Sequence, residues 1–261
     1  MNIEIFQLKI EPANVSFNEA TIKNWFSNYV TTDTDVVVLP EMWNNGYALP
    51  QLNKLADQQL SRSFEFISKL AIQYQVDIVA GSVSNIMKES VYNTAFAVSK
   101  QGYLINSYDK VHLVPMLDEP LFMSPGNAVP EPFTLSNGVK IAQIICYDLS
   151  FPEILRYPAR KGAEIAFYVA QWPSVRLDHW IALLKARAIE NDMFVVGCNT
   201  CGDDGKTEYA GNSIIINPNG EIIDQLNDKE GRLNCSLNLD EVSKQREAIP
   251  VFKNLRPHLY K

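Results

Sequence analysis

The chain has 261 residues, 46% of them hydrophobic and 20% charged, and a formal net charge of −7. These proportions suit a globular, enzyme-sized protein, and the acidic balance of 30 Asp and Glu against 23 Lys and Arg speaks against a nucleic-acid partner. No apolar run is long enough to span a bilayer, residues 1–7 lack the basic flank and apolar core of a secretory signal, and four cysteines suit a reducing compartment, so a cytoplasmic protein with no membrane partner is expected.

Strands and helices are predicted to alternate from end to end. Residues 3–8 read as a strand and 17–29 as a helix capped by Ser16; 35–40 is an apolar strand stopped by Pro40, and 60–74 is an amphipathic helix. Three short strands follow at 76–83, 92–98 and 104–108, the last two joined across Lys100-Gln101-Gly102. A proline-bearing loop spans 112–132, and 133–135 and 139–145 flank an Asn137-Gly138 hairpin turn. A helix capped by Ser150 follows Pro152. Beyond it come a strand at 164–169, a helix at 177–191, and strands at 194–198, 213–216, 221–226 and 231–237, with a turn at 217–220. Two half-patterns with no linker between them imply an α/β fold, a four-layer αββα sandwich of two mixed β-sheets with outer helices, built by residues 1–261 as a single domain.

Cys146 ends the run 139–145 and is followed by Tyr147-Asp148-Leu149-Ser150-Phe151-Pro152-Glu153, the layout of a thiol at a strand-to-helix turn. Near the positive end of the next helix, its thiolate is expected to be favoured. Alone, such a cysteine reads as a small buried hydrophobe. Its company changes that reading: Glu41 follows Pro40 at one strand end, Lys110 follows Asp109 at another, and Glu119 lies in the loop beyond. A carboxylate, an ammonium and a thiol thus occupy equivalent strand ends, where α/β enzymes gather their chemistry. Cys198 and Cys201 have the spacing of redox and zinc pairs, but no second pair exists and His112, His179 and His258 are scattered, so they read as structural. Cys235 alternates with polar neighbours, as on the core face of a strand. The sequence calls for no cofactor or metal, since it holds neither a phosphate-cradling Gly-rich loop nor a metal-ligand cluster.

Val38-Leu39-Pro40-Glu41, Tyr108-Asp109-Lys110-Val111-His112-Leu113 and residues 145–153 resemble the three signature blocks of the nitrilase superfamily of carbon-nitrogen hydrolases, with supporting blocks at 81–83, 92–95, 124–126, 186–191 and 210–213. The resemblance covers essentially the whole chain. It implies the αββα sandwich, with Glu41 as general base, Lys110 as electrostatic stabiliser and Cys146 as nucleophile; Glu119 falls where many members carry a second active-site glutamate. An amide carbonyl is a poor electrophile, so a strong thiol nucleophile activated by a carboxylate suits it, and Lys110 with the Tyr147 backbone N–H would meet the oxyanion.

Residues 41–47, Asp118-Glu119, 169–173 and Asp178-His179-Trp180 look most like the omega-amidase branch, whose members deamidate monoamides of dicarboxylic acids such as 2-oxoglutaramate and 2-oxosuccinamate. That resemblance implies a small-molecule amide with a carboxylate at its far end. Arg176 is the candidate to meet that carboxylate, with Tyr47 and Trp172 walling the pocket, while Arg187 and Glu190 read as structural salt-bridge partners. Cys146-Tyr147-Asp148 in place of Cys-Trp-Glu weighs against nitriles. N-carbamoyl amide hydrolysis stays open, and a catalytically silent binding sandwich would be expected to have lost Glu41, Lys110 or Cys146. Family members usually pair, and the apolar tail 249–257, within a C-terminal segment of about 240–261, implies a homodimer.

Overall fold

The computed structural model describes residues 1–259. The first half runs through β1 (Asn2–Gln7), α1 (Val15–Tyr29), β2 (Val36–Val38), α2 (Leu52–Leu55), β3 (Asp57–Gln58), α3 (Ser61–Tyr74), β4 (Asp77–Met87), β5 (Ser90–Val98) and β6 (Leu104–Asp109). The second holds α4 (Glu119–Phe122), β7 (Phe133–Thr134), β8 (Lys140–Ile145), α5 (Pro152–Arg160), β9 (Ile165–Ala170), α6 (Leu177–Asn191), β10 (Phe194–Asn199), β11 (Cys201–Asp203), β12 (Glu208–Ala210), β13 (Ile214–Ile216), β14 (Ile222–Gln225), β15 (Gly231–Ser236) and α7 (Asp240–Ala248).

Alternation along the strands sorts their side chains into layers. One sheet runs β15-β1-β2-β4-β5-β6 with β3 on β4, and the other runs β14-β13-β10-β9-β8-β7. On one face of the first sheet Phe6, Val37, Ile78 and Phe96 pack with Ile22 and Phe26 of α1 and Ile67 and Leu70 of α3. On its other face Ile3, Ile5, Val36, Val38 and Val79 join the second sheet's Ile144, Ile145 and Val169, and that cluster continues to Leu155 of α5 and Leu184 of α6. Each such fully buried aliphatic side chain contributes roughly 1.5–3 kcal/mol through removal from water. The result is the expected order of helices, sheet, sheet, helices. β1, β2 and β4 are parallel, as are β8, β9 and β10, so the carboxyl ends of β2, β8 and β9 gather along the sandwich edge that holds the site.

Two helix starts differ from the expected ones. The Asn14 side chain, not Ser16, caps α1, accepting the Phe17 N–H at 3.2 Å, so Ser16 lies inside the helix. Asn is at least as good a cap as Ser, and it sits two residues earlier. Ser150 caps nothing: residues 146–150 coil into a 3₁₀ turn, and α5 starts at Pro152, whose missing N–H costs nothing at a first helical position. The β11–β12 hairpin and the short α2, α4 and β3 went unforeseen, since two to four residues are too few to show a period. No helix among the described residues is long and apolar enough to cross a membrane.

Candidate active site

β2 ends at Val38, Pro40 keeps the strand from resuming, and the chain turns at Glu41. That turn presses on β4 at Gly81, whose φ of +59° and missing side chain admit it: a Cβ there would fall 1.9 Å from the Pro40 carbonyl oxygen. Gly126 does the same for Lys110, since its Cβ would fall 2.2 Å from the Asp109 carbonyl oxygen and its N–H donates to the Lys110 carbonyl at 2.8 Å.

These supports bring one ammonium between two carboxylates, all three fully buried. Lys110 Nζ donates to Glu41 Oε1 at 3.0 Å and to Glu119 Oε1 at 2.8 Å. Glu41 Oε1 also accepts from Asn93 Nδ2 at 2.8 Å, and its Oε2 accepts the Gln171 N–H at 2.7 Å. Glu119 Oε2 accepts the Val114 N–H at 2.7 Å. Burying ions costs several kcal/mol each unless they are paired and hydrogen-bonded, and here both conditions hold. Burial works against the charge on Lys110, but Glu119 and Glu41 outweigh it and hold the ammonium well above its ordinary pKa.

Cys146 opens the 3₁₀ turn with a φ of +42°, a left-handed conformation that costs a non-glycine residue about 1–3 kcal/mol. The expected bias toward thiolate is absent. α5 begins six residues later, and burial, followed by the negative charge of Glu41, pushes the thiol well above its ordinary pKa against the pull of Lys110. Cys146 lines a cavity together with Tyr147, Ser150, Gln171, Trp172, Arg176 and His179, and with apolar side chains of the 114–117 segment.

Residues 3–247 match the carbon-nitrogen hydrolase family. The chain belongs to that family. It is 60% identical to a Staphylococcus aureus protein described as a hydrolase in the agr operon, over the full length of both. It is 42% identical to a 2-oxoglutaramate amidase of Bacillus subtilis, over 87% of this chain and 86% of that one. The crystal structure of XC1258 from Xanthomonas campestris, a CN-hydrolase superfamily protein with an arsenic adduct in its active site, superimposes with a TM-score of 0.91 at 26% identity, covering 98% of this chain and 97% of that one. The protein is thus an amidase of the nitrilase superfamily.

In this amidase, Glu41, Lys110, Glu119 and Cys146 meet in one place, and the Tyr147 N–H lies beside the thiol as the second residue of the turn, where the turn's own bonds leave it free. Trp172 and Arg176 line the cavity; the Trp172 indole N–H donates to the Arg176 carbonyl at 2.8 Å, and no hydrogen bond or ion pair with the described residues engages the Arg176 guanidinium. Tyr47 lines the adjoining opening, which shares Met116 and Leu117 with this cavity. Its hydroxyl donates to Glu119 Oε1 at 2.6 Å, lies 3.1 Å from Glu41 Oε1, and is kept protonated by burial and by the two carboxylates. Arg187 pairs with Glu190 at 3.0 Å. Cys198 and Cys201 are buried and unbridged, and Cys235 is half-buried on the same strand face as Leu233.

Asn93 and Gln171, which orient Glu41, carried no expected role. The available signal was a polar residue within or directly after an apolar strand, the informative kind of burial. No group of His, Cys, Asp and Glu among the described residues is placed to hold a metal ion.

Proposed function

We propose that this amidase hydrolyses the terminal amide of a small substrate with a free carboxylate at its far end, an omega-amidase reaction for which 2-oxoglutaramate and 2-oxosuccinamate are the reference substrates. The observation that carries the reading is the cavity: Cys146 lines it together with Arg176, an exposed residue whose guanidinium makes no hydrogen bond or ion pair with the described residues. A guanidinium so placed suits bidentate binding of a carboxylate, and the 2-oxoglutaramate amidase of B. subtilis supports the assignment as a relative.

In this reading Glu41 takes the thiol proton as Cys146 Sγ attacks the amide carbon. The thiol is protonated at rest, which is why a base must act during attack. Lys110 Nζ and the Tyr147 N–H hold the oxyanion, and loss of one such donor typically lowers kcat on the order of 10²–10³-fold. Glu41 returns the proton to the nitrogen, the C–N bond breaks, and ammonia leaves a thioester on Cys146. Water then attacks the thioester with Glu41 as base, releasing the carboxylic acid and restoring the thiol. Glu119 and Tyr47 hold Lys110 in place rather than moving protons.

Ammonia release is to be measured across 2-oxoglutaramate, succinamate, carbamoyl amino acids and simple nitriles, with Cys146→Ala as control. Cys146-dependent turnover favouring the carboxylate-bearing amides is expected. A response to carbamoyl compounds alone would defeat the substrate assignment, and no Cys146-dependent release from any compound would defeat the mechanism.

Residues 1–261 are further read as one cytoplasmic domain that forms a homodimer through segment 240–261, of which 260 and 261 lie outside the described residues. Four free thiols support the compartment, and the exposed Ile249 and Leu259 support the contact. A clean monomer by light scattering at micromolar concentration would count against pairing.

A further inference from the structure

Two residues past Cys146 stands Asp148, and two residues past Lys110 stands His112. Both lie outside the chemistry described above, yet they are joined. Asp148 is fully buried, and its carboxylate accepts three hydrogen bonds from the segment carrying Lys110: Tyr108 OH to Oδ2 at 2.7 Å, the His112 backbone N–H to Oδ1 at 2.9 Å, and His112 Nδ1 to Oδ1 at 2.7 Å. Burial, then the charge of Asp148, keep the Tyr108 hydroxyl protonated and therefore a donor. The imidazole stacks on Phe151 with ring centroids 3.5 Å apart and planes within 7°, and Phe151 in turn meets the Tyr147 ring edge-on at 5.4 Å. From behind, Arg187 Nη2 donates to the Leu149 carbonyl at 2.7 Å.

The turn from 146 to 150 is short and begins with a strained residue, and such a residue keeps its conformation only where its surroundings fix it. Lys110 and Cys146 sit on different sheets, and the reaction needs the thiol, the ammonium and the Tyr147 N–H around one carbonyl group. We propose that Asp148 and His112 are positioning residues: their contact clamps the turn bearing Cys146 and the Tyr147 N–H to the strand end bearing Lys110, and so sets the spacing between nucleophile and oxyanion donors. The inference rests on the thioester mechanism proposed above. Charge-assisted bonds from a backbone N–H and an imidazole to one carboxylate oxygen are short and directional, which suits a spacer better than a flexible ion pair does.

His112→Ala and His112→Asn test the clamp. The Asn side-chain amide can place an N–H near the position of Nδ1, whereas Ala cannot. His112→Ala is expected to lower kcat on the order of 10²-fold, the cost of misplacing reacting groups by about 1 Å, with KM little changed, and His112→Asn is expected to recover most of that loss. A crystal structure of His112→Ala should show the 146–150 turn displaced relative to Lys110 while the two sheets superimpose on the parent. Wild-type kcat in His112→Ala, a change in KM alone, or equal loss in both variants would overturn the proposal, as would an unmoved turn. If the wild-type enzyme releases no ammonia in a Cys146-dependent way, the thioester mechanism fails, and the position of the turn alone decides whether the clamp exists.

Discussion

Lys110→Met removes the cation that the charged centre is built around. Glu41 and Glu119 each direct an oxygen at Nζ and neither is exposed to solvent, so the variant leaves two carboxylates facing each other across the Tyr47 hydroxyl. With both carboxylates ionised, the charge of the three groups changes from −1 to −2. Removing one partner of a buried ion pair costs about 3–5 kcal/mol, and at 2–4 °C per kcal/mol for a large domain the melting temperature should fall by roughly 6–20 °C. Adding Glu119→Gln returns the count to −1 and should restore much of the stability, while activity stays lost with the oxyanion donor. Thermal and urea unfolding of the parent, the single and the double variant check this. A single variant as stable as the parent, or a double variant no better than the single, would refute the view that Lys110 neutralises this pair.

Cys146→Ala should keep the parent fold by circular dichroism and lose ammonia release, whereas Cys198→Ala, Cys201→Ala and Cys235→Ala should retain turnover. Gly81→Ala should destabilise by at least about 2 kcal/mol in urea unfolding, from a left-handed φ and a backbone clash together, and should also lower kcat by shifting Glu41. Arg176→Ala should raise KM for carboxylate-bearing amides roughly ten- to hundredfold, the worth of a charged hydrogen bond, with kcat nearly unchanged and an uncharged amide unaffected. Burial holds the Cys146 and Cys198 thiols well above their ordinary value near 9 and pushes Cys201 up to about 12. These groups keep their protons in the folded state where the unfolded chain has lost them, so the stability they contribute is intact below pH 9 and drains away as pH rises past it. Unfolding midpoints from pH 8 to 11 should therefore fall, and more gently in Cys201→Ala.

The sandwich was legible because strands such as 3–8 and 35–40 announce themselves by β-branched runs and proline stops, and the helices by their apolar spacing. Glu41, Lys110 and Cys146 were legible for a related reason: a strand end is a local feature, and each lies in a block resembling a known family. Local competition defeated Ser16 and Ser150, where an earlier cap and a 3₁₀ turn intervened. The thiolate expected at Cys146 failed for a different reason. A helix dipole acts over about one turn, whereas burial beside two carboxylates is decided by residues from distant strands.

By itself, then, the sequence determined the order of the main strands and of the longer helices up to residue 191, the family, and which side chains stand at strand ends. Only the tertiary structure decided how those side chains are held: that Asn93 and the Gln171 N–H grip Glu41, that the Tyr47 hydroxyl bonds the carboxylates, and that Asp148 reaches His112. Glu41 and Gln171 are 130 positions apart. No period or motif spans that distance, because the partners of a buried charge are chosen by which strands the sheets bring side by side, and the chain must satisfy every one of them once water is excluded.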